Sequence, residues 1–191
     1  MLGLNTKLAK LEEEGKTIRV GLVGAGQMGK GMVSQMKLMR GMTPSLVVDI
    51  NLDNAVESFV LAGISKDDIV VAKTLEEVNV AMEQGKYVAA EDFEFAVKAN
   101  LVDAVVDATG VPDIGAKLAI DSIFNKKHIV MLNVEADVVV GPILNKMAIN
   151  SGVVYTGTAG DEPGAVKELY DFADAAGFDI LAIGKGKNNA V

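Results

Sequence analysis

An apolar run, Ile18-Arg19-Val20-Gly21-Leu22-Val23, opens directly onto Gly24-x-Gly26-x-x-Gly29, and a helical pattern follows at once. This junction constrains the fold more than any other stretch. The run reads as a buried parallel strand. Gly24 then makes the tight turn, Gly26 lets a pyrophosphate approach the backbone, and Gly29 lets the new helix pack against the strand. The helix start, at Gln27 and Met28, offers free N–H groups and a partial positive charge to phosphate. A second strand, Leu46 to Val48, ends in Asp49, twenty positions beyond Gly29. Strand, glycines, helix, strand and acid together predict dinucleotide binding. The competing reading is a glycine-rich turn in an ordinary α/β protein.

Asp49 bears on which dinucleotide. A carboxylate at the end of the second strand accepts hydrogen bonds from the ribose hydroxyls of NAD and repels a 2′-phosphate. Ile50 and Asn51 follow it, and no Arg or Lys stands there to hold that phosphate. NAD is therefore favoured over NADP, although a basic residue from another loop could admit NADP. Asp49 could instead cap the following helix.

Composition narrows the class. Half of the 191 residues are hydrophobic, enough for a full core, and the positive mean hydropathy suits a parallel sheet buried on both faces. Cysteine is absent and His128 is the only histidine, which excludes disulfides, thiolate metal sites, cysteine nucleophiles and multi-histidine metal sites. A net charge of −8 argues against nucleic acid and anionic membranes as partners. No apolar run reaches the ~18 residues needed to span a bilayer. The mixed, charged N-terminus does not read as a secretory signal, so a cytoplasmic location is expected.

Along the chain, residues 4–14 form an amphipathic helix with Leu4, Leu8 and Leu11 on one face, so 1–16 is set apart from a cofactor domain over 17–191. Strands are expected at 18–23, 46–49, 69–71, 104–106, 129–132, 153–155 and 178–183. Helices are expected at 28–40, from Asp53 to Ala62, over most of 75–100 with a break near Gly85, and at 113–125, 138–150 and 162–176. Alternating strands and helices specify a Rossmann-type, doubly wound parallel sheet with helices on both faces. Ligands bind at the strand C-terminal edge of such a sheet. Met28, Met32, Met36 and Met39 recur at helical spacing and read as the buried stripe of the first long helix.

Four further loops should reach that edge. Thr109, Gly110 and Pro112 follow the strand at 104–106 and would line the nicotinamide side, or form a plain turn. Asn133, Glu135 and Asp137 follow the next strand. Asn133 could contact cofactor, Glu135 could act as a base or orient a hydroxyl, and Asp137 could cap a helix. Asp161 and Glu162 suit either a divalent metal or a helix start. Lys185 and Lys187, on a glycine-rich stretch, could grip phosphate or move a proton, or belong to a frayed terminus. His128 falls at the opposite end of the sheet and reads as structural.

The motifs VGLVGAGQMGKGM, VVDATGVPDIGAKLA, HIVMLNVEADVVVGP, YTGTAGDEPGA and GKGKNN together resemble the homoserine dehydrogenase-like oxidoreductases that carry a C-terminal SAF domain. That family includes an enzyme making methylerythritol phosphate from deoxyxylulose phosphate, and sugar-acid oxidoreductases. The resemblance implies an NAD(P)-binding domain followed by catalytic, dimerisation and SAF regions, with Lys185 and Lys187 in catalysis. Members are roughly twice this length, so the chain corresponds to the cofactor part. Homoserine dehydrogenases proper place a lysine after the asparagine that ends the strand. Val134 and Glu135 stand here instead, which counts against homoserine as substrate. The expected partners are a small hydroxy or carbonyl substrate and a second copy of the chain, because an isolated cofactor domain exposes the surface its missing region would cover. The alternative is a non-catalytic NAD(P)-binding module or nucleotide sensor.

Overall fold

In the computed structural model, residues 3–158 and 164–184 are described, and they divide into two units, 1–157 and 158–191. The first contains α1 (Leu4–Glu13), β1 (Ile18–Val23), α2 (Gln27–Leu38), β2 (Met42–Val48), α3 (Leu52–Leu61), a short 3-10 turn at 66–68 and β3 (Ile69–Val71). It continues through α4 (Leu75–Glu83), β4 (Tyr87–Ala90), α5 (Glu94–Lys98), β5 (Ala104–Asp107), α6 (Pro112–Phe124), β6 (His128–Met131), α7 (Val134–Ser151) and β7 (Tyr155–Gly157). The second contains α8 (Gly164–Ala175).

The seven strands of the first unit form one sheet in the order β3-β4-β2-β1-β5-β6-β7, and every pairing is parallel. This is a Rossmann-type α/β fold. The pleat sends alternate residues to two apolar layers. Leu22 of β1, Val47 of β2 and Ala89 of β4 pack beneath α2 and α3 with Val33 and Phe59. Val23, Leu46, Val48, Val88 and Val105 face the opposite layer, with Leu118 and Ile123 of α6 and Leu144 of α7. Pro44 has no N–H to donate, and the β1–β2 register shifts beside it, leaving Ser45 as an extra residue. The N-terminal helix α1 buries Leu8 and packs so tightly on Gly41 that a Cβ there would lie 2.3 Å from the Leu8 carbonyl oxygen.

Several expected elements differ. The span 75–100 is helical at both ends with the expected break near Gly85, but β4 runs through its middle, hydrogen-bonded to β2 on one side and β3 on the other. Four apolar residues carry no periodicity of their own, and pairing on both edges decides their conformation. The strand expected at 153–155 lies at 155–157, while α7 starts at Val134 rather than 138. Asn51, not Asp49, is the N-cap of α3, its side chain accepting from the Asp53 N–H. Residues 178–183 form no strand. An apolar run becomes one only where a neighbouring edge takes its backbone hydrogen bonds, and none is described in the second unit. The methionine stripe is partial: Met36 is buried and Met32 and Met39 are half-buried, but Met28 is 63% exposed at the helix start.

Candidate functional site: a cleft at the sheet switch point

The chain leaves β1 for β2 on one side and crosses to β5 on the other, so the loops after β1 and β5 diverge and open a crevice. The glycine loop forms its floor. Gly24 has φ +98°, and a Cβ there would lie 2.6 Å from the Ala108 carbonyl group, so glycine is what allows the two loops to touch. A Cβ on Gly29 would stand 2.0 Å from the Gly24 oxygen, which makes Gly29 the residue that seats α2 against the turn. Around Gly26, in contrast, a Cβ would meet nothing within 4 Å. Gly26 is the N-cap of α2 and no side chain caps the helix, so the N–H groups of its first turn, at Gln27 and Met28, remain available to a ligand. The fit to a pyrophosphate is therefore good: open space, free donors and a positive helix end coincide.

Asp49 stands at the end of β2. Its Oδ2 accepts from the Ala25 N–H at 2.6 Å, and its Oδ1 accepts from the Asn51 N–H at 2.8 Å and from Asn54 Nδ2 at 3.5 Å. The carboxylate thus braces the glycine loop and remains partly exposed, with lone pairs for ribose hydroxyls. A cleft of about 450 Å³ joins these parts. Gly24, Gly26, Asp49, Ile50 and Thr109, all singled out in the sequence, line it. No Lys or Arg does so among the described residues.

The β5–α6 loop is held from below. Asp107 is fully buried, and its Oδ1 accepts from both the N–H (2.9 Å) and the hydroxyl (2.7 Å) of Thr109. Its Oδ2 has no hydrogen-bond partner among the described residues. Asn133, 1% exposed, donates from Nδ2 to the Val111 carbonyl (2.9 Å) and to Thr109 Oγ1 (3.3 Å), while its Oδ1 caps α7 at the Ala136 N–H. Gly115 of α6 makes room for both: a Cβ would lie 2.5 Å from Asn133 Nδ2 and from Asp107 Oδ2. Asn133 therefore clasps the loop rather than facing the cleft. Gly110, with φ +66°, forms the exposed bend, and Pro112 opens α6 as its first residue, where a missing N–H costs nothing.

Glu135 and Asp137 sit in the first turn of α7, not in a loop. Glu135 is exposed and outside the cleft lining. Asp137 accepts from the Tyr155 hydroxyl at 2.6 Å. Burial first, and then this hydrogen bond and the charge of Asp137, raise the Tyr155 phenol well above its ordinary pKa. His128 opens β6 at the far end of the sheet, its Nδ1 accepting from the Val154 N–H at 3.0 Å, in keeping with a structural role. Asp161, Glu162, Lys185 and Lys187 lie outside the described residues. Among the described residues no cluster of three or more His, Cys, Asp or Glu could hold a metal, and no helix is long and apolar enough to cross a membrane.

Sequence reasoning missed the far wall of the cleft. Glu91 and Phe93 follow β4, so overlooking that strand hid the loop behind it. Val111 and Ile114 complete the apolar side, and Asn54 the polar side. The Asp107–Gly115–Asn133 contact joins residues from three elements, and no local pattern encodes it.

Residues 160–191 match a family model described as "Oxidoreductase DRL, catalytic domain". No curated protein matches the sequence. Solved structures match through the fold. An NAD binding oxidoreductase from Klebsiella pneumoniae gives a TM-score of 0.58 at 16% identity, over 84% of this chain and 39% of that one. A scyllo-inositol dehydrogenase from Lactobacillus casei, solved with bound NAD(H) and scyllo-inositol, gives 0.56 at 16% identity, over 83% and 42%. A 3-ketoreductase from Actinomadura kijaniata, in complex with TDP-benzene and NADP, gives 0.56 at 14% identity, over 84% and 44%. The chain spans less than half the length of these proteins. At such identities the likeness is one of architecture, and that architecture is the Rossmann-type fold of NAD(P)-binding dehydrogenases.

Proposed function

We propose that the chain binds a nicotinamide dinucleotide, with NAD preferred, as the cofactor domain of an oxidoreductase acting on a small hydroxy or carbonyl compound. The observation that carries this reading is the uncapped α2 terminus at Gly26, open to a ligand and flanked by the Asp49 carboxylate. The backbone N–H groups of Gln27 and Met28 hold the pyrophosphate, and Asp49 accepts from the adenosine ribose. Thr109, fixed by Asp107 and Asn133, borders the nicotinamide half. The bound dinucleotide supplies or accepts hydride. The residues of this chain hold it at the sheet edge and present one face to the substrate.

The substrate groups are assigned to the region beyond the sheet. Asp161, Glu162, Lys185 and Lys187 all fall within the segment that resembles a catalytic domain, which supports substrate or metal binding for the acids and a phosphate grip or proton transfer for the lysines. Glu135, exposed in the first turn of α7, is a further candidate base for a substrate that approaches from outside the cleft. The motif resemblance to homoserine dehydrogenase-like enzymes supports a sugar-acid or phosphorylated substrate rather than homoserine. Exposed Val138, Val139 and Ile143 on α7 support self-association as a homodimer.

Titrating the chain into NADH while following nicotinamide fluorescence tests the proposal. Saturable enhancement with NADH, and a weaker response to NADPH, is the expected result. A folded chain that perturbs neither would refute it.

A further inference from the structure

One cation stands behind the adenosine end of the cleft without lining it. Lys30 of α2 donates to Asn54 Oδ1 at 3.3 Å and pairs with Glu57 Oε2, both on α3. Asn54 lines the cleft, and its Nδ2 reaches Asp49 Oδ1 at 3.5 Å. A single amide therefore separates the Lys30 ammonium from the carboxylate assigned to the ribose. The Lys30 side chain is 23% exposed, against 56% for Glu57, so the ammonium is the more enclosed partner. Another cation, Lys117, lies 4.8 Å over the ring of Phe93, which lines the cleft after β4.

A 2′-phosphate at this ribose would feel opposing charges, Asp49 repelling it and Lys30 attracting it. Lysine has a flexible stem and a compact charge that can turn toward such a phosphate. What keeps it turned away is the acid on α3. We propose that Glu57 is a cofactor-selectivity residue: it holds and neutralises the Lys30 ammonium against α3, so that the cleft discriminates against a dinucleotide bearing a 2′-phosphate. The proposal rests on the dinucleotide reading above. An ion pair this exposed is weak, so the selectivity it confers is graded, and removing the acid shifts a preference rather than creating a new site.

The test is a pair of titrations, NADH and NADPH, on the full chain, on Glu57→Gln and on Glu57→Gln combined with Lys30→Met. Glu57→Gln should tighten NADPH about threefold, the scale of one exposed ion pair, and leave NADH unchanged. Adding Lys30→Met should abolish the gain. An unchanged NADPH affinity in folded Glu57→Gln, with NADH still bound, overturns the proposal. So does a gain that persists without Lys30, which would trace to the overall charge change. A parent chain that binds neither dinucleotide rejects the cofactor reading itself, and this proposal with it.

Discussion

Gly26 and Gly29 look alike in the motif and differ in what surrounds them. Gly29→Ala drives a methyl into the Gly24 carbonyl oxygen and should cost about 3 kcal/mol, measured by urea unfolding. Gly26→Ala meets empty space and should leave stability intact, while filling the volume a pyrophosphate needs and weakening NADH binding about tenfold or more. Tyr155 yields a pH-dependent prediction. Its pKa is raised in the folded state, so its contribution is complete below the unfolded value and is lost as pH rises above about 10. Tyr155→Phe should flatten that alkaline decline in unfolding experiments and, because the Asp137 bond is lost at a half-buried site, cost about 1 kcal/mol near neutrality. The glycine motif was readable because each residue acts within a few positions of its neighbours. The bracing of Ala25 by Asp49 was not, since a carboxylate at a strand end is compatible with ribose binding, capping or loop support until its partners are seen.

At the scale of elements, legibility followed periodicity. Strand β1 and helices α2 and α6 carry long patterns that match their final bounds within a few residues. Strand β4 does not: Tyr87 to Ala90 is too short to show a period, and it exists because β2 and β3 flank it. Missing it removed Glu91 and Phe93 from the expected site. The start of α7 was misplaced for a related reason. Asn133 looked like a loop residue with a free amide, yet its Oδ1 caps the helix and its Nδ2 bridges to the β5 loop. Asn133→Ala removes a cap and two buried donors together and should destabilise the fold by about 3 kcal/mol. It should also loosen the Thr109 loop and raise the NADH dissociation constant, which a chemical melt followed by a fluorescence titration would separate. An unchanged midpoint would show that the clasp carries no weight.

For the whole molecule, the proposed cofactor residues and the family match fall in different units. The glycine loop, Asp49 and Thr109 all lie within 1–157, while the segment resembling a catalytic domain begins at residue 160. A fragment ending at Gly157 should therefore bind NADH as tightly as the full chain, in a side-by-side fluorescence titration. The overall α/β class was evident from alternating strands and helices, because that alternation is written along the whole chain. The division near residue 157 was not, because the chain crosses it without any composition shift that marks a linker. The most direct test of the central claim is calorimetric titration of NADH into the full chain and into Gly26→Ala, with thermal midpoints recorded for both. Saturable heat for the parent, and its loss in an equally stable Gly26→Ala, is the predicted result. No heat from the folded parent, or equal binding by the variant, would contradict the assignment of the α2 terminus as the pyrophosphate site.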